Sequence, residues 1–390
     1  MKSKRFAGLL TGIVLGASLT ITIIGCASAI TNSQYSHSKI NFLNKLLQQS
    51  YLREIDDKKI ENSIYAGYVS GLEDPMTSYL NEEQLKEQQV LQEGRYIGTG
   101  LQFEWGLDGR YIIVTDIIPG SPASLANVKI GDKITEIDKI KVILSNETEL
   151  YEKLMYTGSK AVVYTVEDND GKNARAISLT SKVLDRKSMT HKLIENNIGY
   201  ITVFSIKDGA SKELEKNIKA LKEDGAKKFI IDIRNAYSNN IEETYKICQL
   251  FISEKTVFKI KNKQGEMKEY KTQKAPYKED LIILINDRTK GALEAFAAAL
   301  KTTQRGKVIG QKSAGIGRVG QIIPLKEDKT GLMVTTGIIY TSDNNSLKDK
   351  GVVPNLEVKN SVESVIELIT KGKIEQKSDS QLMEAIKQFR

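Results

Sequence analysis

Two short segments of this chain carry hydroxyl and amine side chains that could act together as a nucleophile and its base. Thr289 and Lys290 lie in the first segment, and Lys312 and Ser313 lie in the second. A desolvated, neutral lysine amine can take the proton of a hydroxyl group without any histidine. Thr289 and Lys312 are therefore candidates for a hydroxyl/amine dyad. The alternative is that Thr289 caps a helix and that both lysines are solvated.

Histidine and cysteine, the residue types that most often build triads and zinc centres, are scarce. The sequence has His37, His191, Cys26 and Cys248, with no histidine pair at helical spacing. These residues predict neither a Ser/His/Asp triad nor a metal site. Cys248 lies on an apolar predicted helix over 241–253, where a core position is expected.

A glycine pattern between Gly315 and Gly320 matches the form of a dinucleotide-binding turn. Such a turn should open a helix, but the following residues predict a strand, and Pro324 forbids a helix interior. We therefore expect no nucleotide and no other cofactor at this segment.

The elements that must position these residues form an α/β pattern, because strands alternate with helices from Ile198 onwards. Strands are predicted at 199–203, 229–233, 281–285, 308–310, 320–325 and 333–340. Helices are predicted at 210–224 and 241–253, from near Gly291, and at 362–369 and 381–389.

Two different patterns precede the α/β region. Residues 31–92 are polar and helix-prone, and Asn81 is expected to cap a helix that restarts after Pro75. Between 97 and 183, short β-branched runs separated by Gly, Pro and Asp predict a small β-domain. Its predicted strands are 101–103, 111–114, 134–137 and 161–166.

The N-terminus has the layout of an export signal or a membrane anchor, with basic residues followed by an apolar run from Phe6 to Ile24. Cys26 fits the position at which bacterial lipoproteins are cut and acylated, while cleavage after 29 and an uncleaved anchor remain alternatives. The predicted location is extracytoplasmic, either membrane-associated or secreted. The net charge is +8, but acidic residues alternate with lysines, so nucleic-acid binding is not predicted.

Several motifs, in this order along nearly the whole chain, resemble the carboxy-terminal processing peptidases, also called tail-specific proteases. The matching pieces are Gly71-Leu72-Glu73-Asp74-Pro75, Gly199-Tyr200-Ile201, Ile231-Asp232-Ile233-Arg234-Asn235, Leu284-Ile285-Asn286, Gly310-Gln311-Lys312-Ser313-Ala314-Gly315 and Gly351-Val352-Val353-Pro354.

Residues 118–134 add a resemblance to a PDZ domain of the bacterial protease type. The resemblance implies that one loop and strand receive a peptide C-terminus, with N–H groups holding the carboxylate and a strand edge pairing with the peptide. The alternative is a β-domain that serves only as a spacer. The implied peptide-binding residues are Gly98, Thr99, Gly100, Leu101, Gln102 and Phe103.

The same resemblance implies a Ser nucleophile and a Lys base at positions that are here Gly291 and Ile316. Glycine cannot form an acyl-enzyme and isoleucine cannot accept a proton, so both roles are missing. The position of a base-orienting Gln falls on Gly320, with Gln321 one residue beyond. A shifted Thr289/Lys312 dyad would have to tolerate a displacement of several ångströms, although about one ångström already matters.

A Gly-Gly turn that contributes to the family's oxyanion hole is also replaced. This chain has Ala236-Tyr237-Ser238-Asn239 there. Ser238 and Asn239 still have backbone donors, but they adopt positive φ less readily than glycine.

The expected fold is a multidomain α+β protein with a helical N-terminal region, a PDZ-like β-domain and a tail-specific-protease-like α/β domain. The expected boundaries are 1–30 for the signal or anchor, 31–92, 93–185, 190–372, and 373–390 for a C-terminal helix.

The expected function is that of an exported pseudopeptidase that binds polypeptide C-termini or regulates a catalytic homologue. An active serine- or threonine-type endopeptidase that processes C-terminal regions of exported proteins is the alternative. A homo- or hetero-oligomer is a further expectation.

Overall fold

The computed structural model describes residues 37–155, 157–185, 187–325 and 327–389. The chain divides into two compact units between Ser63 and Ile64. In the part of the chain that is described, no helix is long and apolar enough to cross a membrane. Cys26 and the predicted signal lie outside the described residues.

The first unit contains the first helix and the beginning of the second. The first helix exposes large apolar side chains, and Gln48 Nε2 donates to Asp57 Oδ1 at 3.5 Å across the connecting turn. The exposed apolar residues of the first helix are Ile40, Phe42, Leu43, Leu46 and Leu47.

The α-helices are numbered in chain order. They are α1 (His37–Ser50), α2 (Asp57–Ser70), α3 (Glu82–Gln92), α4 (Pro122–Leu125), α5 (Glu147–Leu154), α6 (Ala210–Glu223), α7 (Ile241–Phe251), α8 (Ala292–Thr302), α9 (Val362–Lys371) and α10 (Ser380–Lys387).

The strands of the amino-terminal half are β1 (Ser78–Leu80), β2 (Arg95–Gly98), β3 (Leu101–Trp105), β4 (Ile112–Ile117), β5 (Lys133–Ile137), β6 (Ile140–Lys141), β7 (Val162–Glu167), β8 (Arg175–Leu179), β9 (Lys182–Asp185) and β10 (Met189–Ile194). The later strands are β11 (Ile198–Val203), β12 (Lys228–Asp232), β13 (Tyr237–Ser238), β14 (Thr256–Asn262), β15 (Met267–Lys271), β16 (Asp280–Ile285), β17 (Lys290–Gly291), β18 (Lys307–Gly310), β19 (Arg318–Leu325), β20 (Thr330–Thr341) and β21 (Leu356–Glu357).

A six-stranded sheet in the order β10-β11-β12-β16-β18-β21 forms the centre of the α/β part. Strands β11 to β21 in this order are parallel, and β10 adds an antiparallel edge. Helices α6, α7 and α8 contribute to the large core on one face, and α10 packs on the other. Helices therefore cover both faces, as a parallel sheet requires.

The β-domain is an antiparallel six-stranded sheet in the order β3-β4-β5-β7-β8, with β6 beside β5. Its core includes residues of α4 and α5, among them Ala123, Leu150 and Leu154. Strand β3 lies at the edge of this sheet. An edge strand exposes backbone donors and acceptors that another chain can use.

A third sheet joins β1, β20, β14 and β15, with β19 on the other side of β20. Strand β1 comes from the N-terminal region that the sequence predicts to be helical, and it pairs antiparallel with β20. The predicted helix cap at Asn81 is confirmed, because Asn81 Oδ1 accepts from Gln84 N at 2.9 Å, and the Gln84 side chain completes a capping box. The boundary at residue 92 stays a prediction, although residues 64–92 belong to the same compact unit as the later domains.

The predicted helices and strands of the α/β part and the β-domain are present, with ends shifted by a few residues. Hairpin β14–β15 lies in a segment where the sequence pattern predicts no strand. Cys248 is fully buried on α7, which confirms its predicted core position, and burial raises the pKa of its thiol. His191 is exposed on β10.

Candidate functional site

The turn before helix α8 carries the position at which a nucleophile is expected. Gly291 is the N-cap of α8, with φ 71° and ψ −132°. Strand β17 pairs in parallel with β13, which places Ser238 opposite Gly291. The nucleophile position and the oxyanion region are therefore in direct backbone contact.

This contact leaves little room for a side chain at position 291. A Cβ atom built on Gly291 would lie 2.3 Å from the carbonyl oxygen of Ser238 and 3.2 Å from the Tyr237 ring. The first distance is far inside van der Waals contact, and the backbone angles are ones that only glycine adopts readily. Backbone atoms of β13 therefore occupy the space that a side chain at position 291 would need.

Thr289 does not cap helix α8, so that expectation is wrong. Its hydroxyl donates to the Ile233 carbonyl at 2.9 Å and accepts from Asn286 N at 3.1 Å. The residue is fully buried. The hydroxyl stabilises the turn between β16 and α8, while Gly291 takes the cap position because only its angles suit the close contact with β13.

The second segment with hydroxyl and amine groups is adjacent to Thr289. Ala314 N donates to the Thr289 carbonyl at 3.1 Å, which brings the segment that contains Lys312 beside the turn. Lys290 and Lys312 are both exposed. The Ser313 side chain is buried, and its Oγ donates to Glu294 at 2.6 Å and accepts from Val352 N at 2.7 Å.

The position of the expected base lies in a loop shaped by two glycines. Ile316 is half-buried between Gly315 (φ 81°) and Gly317 (φ 49°). Its carbonyl oxygen accepts from Arg318 Nη1 at 2.9 Å. A Cβ on Gly317 would lie 2.2 Å from the Leu347 carbonyl carbon, so the loop depends on glycine for its close packing.

Glu294 links the turn at Gly291 to the loop around Ile316. Its carboxylate accepts from Gly291 N at 3.0 Å, Gly315 N at 2.7 Å and Gly317 N at 3.1 Å, in addition to the Ser313 hydroxyl. Glu294 is fully buried. Sequence reasoning missed this residue, although a Glu three residues after a helix N-cap is the usual signal of a capping box.

The side chains of the predicted oxyanion residues, Ser238 and Asn239, are engaged in contacts within the chain. Ser238 is buried, and its hydroxyl donates to the Ile206 carbonyl at 3.2 Å. The Asn239 amide donates to the Gly320 carbonyl at 2.9 Å and accepts from Gly320 N at 3.2 Å. Asn239 therefore pairs with the position at which a base-orienting Gln is expected.

Gly320 lies on strand β19, where an added side chain would be crowded. A Cβ there would lie 2.9 Å from the Val334 carbonyl oxygen. Gln321 is exposed on the next position of the same strand. The glycine pattern from Gly315 to Gly320 thus leads into a strand, as predicted.

The predicted peptide-binding residues form a loop and an edge strand. Gly98 ends β2, Thr99 and Gly100 form the loop, and β3 continues to Trp105. The loop carbonyls accept within the domain, since Ala123 N donates to Thr99 at 3.0 Å and Ile118 N donates to Gly100 at 2.9 Å.

Side chains alternate along β3. Leu101 is buried in the β-domain core, and Phe103 packs against that core. Gln102 lies between them and is half-buried. The predicted peptide-binding residues therefore lie together, in one loop and the edge strand that follows it.

An ion pair joins this edge strand to the turn between β16 and helix α8. Arg288 forms an ion pair with Glu104 of β3, and Arg288 Nη2 lies 3.2 Å from Glu104 Oε2. The hydrogen bond that Arg288 donates to Glu104 raises the pKa of Arg288, while partial burial acts in the opposite direction. Nothing in the local sequence pattern predicted this contact.

A buried charged cluster lies at the end of β12. Arg234 Nη2 donates to Asp232 at 2.6 Å and to Asp379 at 2.7 Å, and Tyr200 donates to Asp232 at 2.5 Å. Burial by itself would lower the pKa of Arg234, but the two carboxylates outweigh it and the pKa is raised. The cluster fixes α10 to the sheet.

Within the described residues, no group of three or more His, Cys, Asp or Glu side chains is arranged to hold a metal ion.

Two domain families match the chain. A family model described as peptidase family S41 matches residues 197–358, and a PDZ domain model matches residues 88–165. The two matches coincide with the α/β part and with most of the β-domain.

Known relatives cover nearly the whole chain. It is 29% identical over 362 residues to "Carboxy-terminal processing protease CtpA" of Bacillus subtilis, which covers 91% of this chain and 77% of the relative. It is 27% identical over 370 residues to "Probable CtpA-like serine protease" of Staphylococcus aureus, covering 92% and 73%.

The solved structure of a photosystem II D1 C-terminal processing protease has the same fold. It aligns with a TM-score of 0.52 and 19% identity, and the alignment covers 85% of this chain and 90% of that one.

Proposed function

The chain belongs to the serine-type peptidase family S41 and is similar to its C-terminal processing proteases, and from this premise we propose that it binds polypeptide C-termini without cleaving them. The carrying observation is that the hydroxyls of the candidate site already donate elsewhere. Thr289 and Ser238 donate to carbonyl oxygens, which cannot take up a proton, and Ser313, which donates to Glu294, is buried. A nucleophile must be accessible and must give its proton to a base.

The peptide-binding part of the proposal is supported by the edge strand β3 and its loop. Gly100 has φ 85°, a conformation that turns the chain between β2 and β3. A carboxylate can be held by N–H groups in such a turn, and the edge of β3 can pair with the extended residues that precede it. The ligand is then an unstructured C-terminus, which is retained because the candidate site at Gly291 and Ile316 has no nucleophile and no base.

The proposed setting is outside the cytoplasm. The signal-like N-terminus and Cys26 support attachment to a membrane through a lipid or an anchor. In this setting, the protein would sequester exported polypeptides or hold them for a catalytic homologue.

Binding can be tested with residues 31–390 and a fluorescent peptide that has an apolar, free C-terminus. We expect saturable binding in fluorescence anisotropy and about tenfold weaker binding when the C-terminus is amidated, which corresponds to roughly 1.4 kcal/mol. Equal binding of both peptides, or no binding of either, would contradict the proposal.

Two glycine variants separate the binding loop from general backbone strain. Gly100→Ala adds a Cβ that would lie 2.2 Å from the Ser121 side chain, whereas Gly120→Ala meets nothing within 4 Å. Both glycines have positive φ. We therefore expect Gly100→Ala to weaken peptide binding, and Gly120→Ala to leave the affinity unchanged.

One observation favours a second candidate function, that of an active peptidase. The hydrogen bond between Ala314 and Thr289 brings the segment that contains Lys312 beside the Thr289 hydroxyl. Cleavage of a loosely folded protein should be measured for the wild type, Thr289→Ala and Lys312→Ala. We expect no turnover by any of them. Turnover that is lost in Thr289→Ala would establish a relocated nucleophile and would overturn the proposal.

A further inference from the structure

The Glu294 carboxylate lies among donors that would otherwise suit an external anion. It accepts from the N–H groups of Gly291, Gly315 and Gly317 and from the Ser313 hydroxyl, at 2.6 to 3.1 Å. Three backbone N–H groups around one carboxylate form an anion-binding concavity, and the start of α8 adds a favourable dipole. This concavity is filled from within the chain.

The Glu294 carboxylate connects two separate segments of the chain through its hydrogen bonds. Gly315 and Gly317 both have positive φ, and the loop between them carries the expected base position. Gly291 belongs to a separate segment that pairs with Ser238. The loop and the turn meet at one buried side chain, which can satisfy all four donors because a carboxylate accepts at two oxygens.

We propose that Glu294 is an internal ligand: its carboxylate occupies N–H groups that could otherwise hold an external carboxylate, and it joins the turn at Gly291 to the loop 313–317. This inference extends the proposed function, because it confines binding of a peptide C-terminus to the PDZ-like loop and strand.

Removing the side chain should open a site for a small carboxylate. In Glu294→Ala, the donors lose their acceptor, and we expect the thermal midpoint to fall by about 10 °C. Sodium acetate should raise the midpoint of this variant in a saturable way and should leave the wild type unchanged. Sodium chloride at equal ionic strength is the control for general salt effects.

A matched variant distinguishes this site from an ordinary cavity. Phe296 is buried on the same helix, and Phe296→Ala creates an apolar cavity. We expect acetate to give no recovery there. Equal recovery of both variants, or none in Glu294→Ala, would contradict the internal-ligand role.

Glu294→Gln provides a second measurement if the alanine variant does not fold. The amide keeps the shape but offers only one acceptor oxygen. Amide hydrogen exchange should become faster at Gly291 and also at Gly315 and Gly317, because one anchor serves both segments. Faster exchange in only one segment would overturn the proposal.

Peptide affinity separates this inference from the proposed function. Glu294→Gln should bind the free C-terminal peptide within about twofold of the wild type, because Glu294 contacts neither the loop nor the strand that would hold it. If the wild type binds no peptide, the proposed function fails, while the acetate and exchange experiments still decide the role of Glu294. If affinity for the C-terminus rises strongly in Glu294→Gln, the donors around position 294 themselves bind the peptide, and the inference that binding is confined to the PDZ-like loop and strand is overturned.

Discussion

Gly291, at the position where the family resemblance implies a nucleophile, has backbone angles of 71° and −132° and lies against the Ser238 carbonyl, so its packing as well as its missing hydroxyl argues against a nucleophile there. A side chain at this position would require β13 to move away from β17. Two hydrogen bonds hold segment 236–239 to Gly320: the Asn239 amide donates to the Gly320 carbonyl and accepts from Gly320 N. The close packing around Gly291 therefore depends on several residues at once.

We predict that Gly291→Ser destabilises the protein by about 1–3 kcal/mol, since it combines an unfavourable backbone conformation with overpacking. Chemical unfolding would measure the change in the free energy of unfolding. Gly67→Ser is the matched control, because Gly67 lies in helix α2 with nothing within 4 Å of its added Cβ. The control should stay within about 0.5 kcal/mol of the wild type.

The double variant Gly291→Ser with Ile316→Lys should show no hydrolysis, because the Ser238 carbonyl occupies the space that the new serine side chain needs. Wild-type stability of Gly291→Ser, together with turnover by the double variant, would show that the Ser238 carbonyl moves easily and leaves room for a side chain at position 291.

Helix α10 covers one face of the central sheet, and its position is set by charge as well as by apolar packing. Asp379 caps α10 by accepting from Leu382 N at 3.0 Å and also pairs with Arg234. The apolar side of α10 joins the core formed by β11, β12, β16 and β18. The C-terminal helix is therefore an integral part of the α/β layer.

We predict that Asp379→Ala lowers the free energy of unfolding by about 2–4 kcal/mol, because it removes a helix cap and leaves a buried guanidinium with fewer partners. Lys387→Ala in the same helix is the control, since its ion pair with Glu384 is exposed on the lysine side. That variant should change stability by less than about 0.5 kcal/mol. Equal effects of the two substitutions in urea unfolding would show that the cluster around Arg234 contributes little.

Across the larger compact unit, the PDZ-like domain is attached to the remainder through its edge and through β4. The ion pair between Arg288 and Glu104 connects edge strand β3 to the turn before helix α8. Tyr111 donates to the Ile369 carbonyl at 3.2 Å at the end of α9. Gly372 follows α9 in the left-handed region, and its added Cβ would lie 2.2 Å from the Val114 carbonyl oxygen.

We predict that Gly372→Ala weakens the docking of α9 on β4, so that amide exchange in β4 becomes faster and stability falls by about 1–3 kcal/mol. Gly171→Ala is the control, because Gly171 has φ 72°, close to the 74° of Gly372, and its added Cβ approaches only the end of the Glu167 side chain. If both variants lose the same stability, the cost comes from φ alone and the close contact is unimportant.

The sequence by itself determined the type and order of most elements, because these depend on local patterns. Alternating β-branched runs predicted the sheet of the β-domain, and apolar runs between helices predicted β11, β12 and β16. Through the family resemblance, the sequence also predicts that the positions of the nucleophile and the base are Gly291 and Ile316. These statements need only residue types and their spacing.

Only the tertiary structure decided how the candidate site is assembled. Glu294 meets residues 313–317, Asn239 meets Gly320, and Arg288 meets Glu104, and each pair is distant in sequence. No local pattern encodes such pairs, since hydrogen bonds between separate segments depend on how the layers pack. For the same reason, the sequence suggested a capping role for Thr289, whereas the packed turn uses its hydroxyl to bind the Ile233 carbonyl.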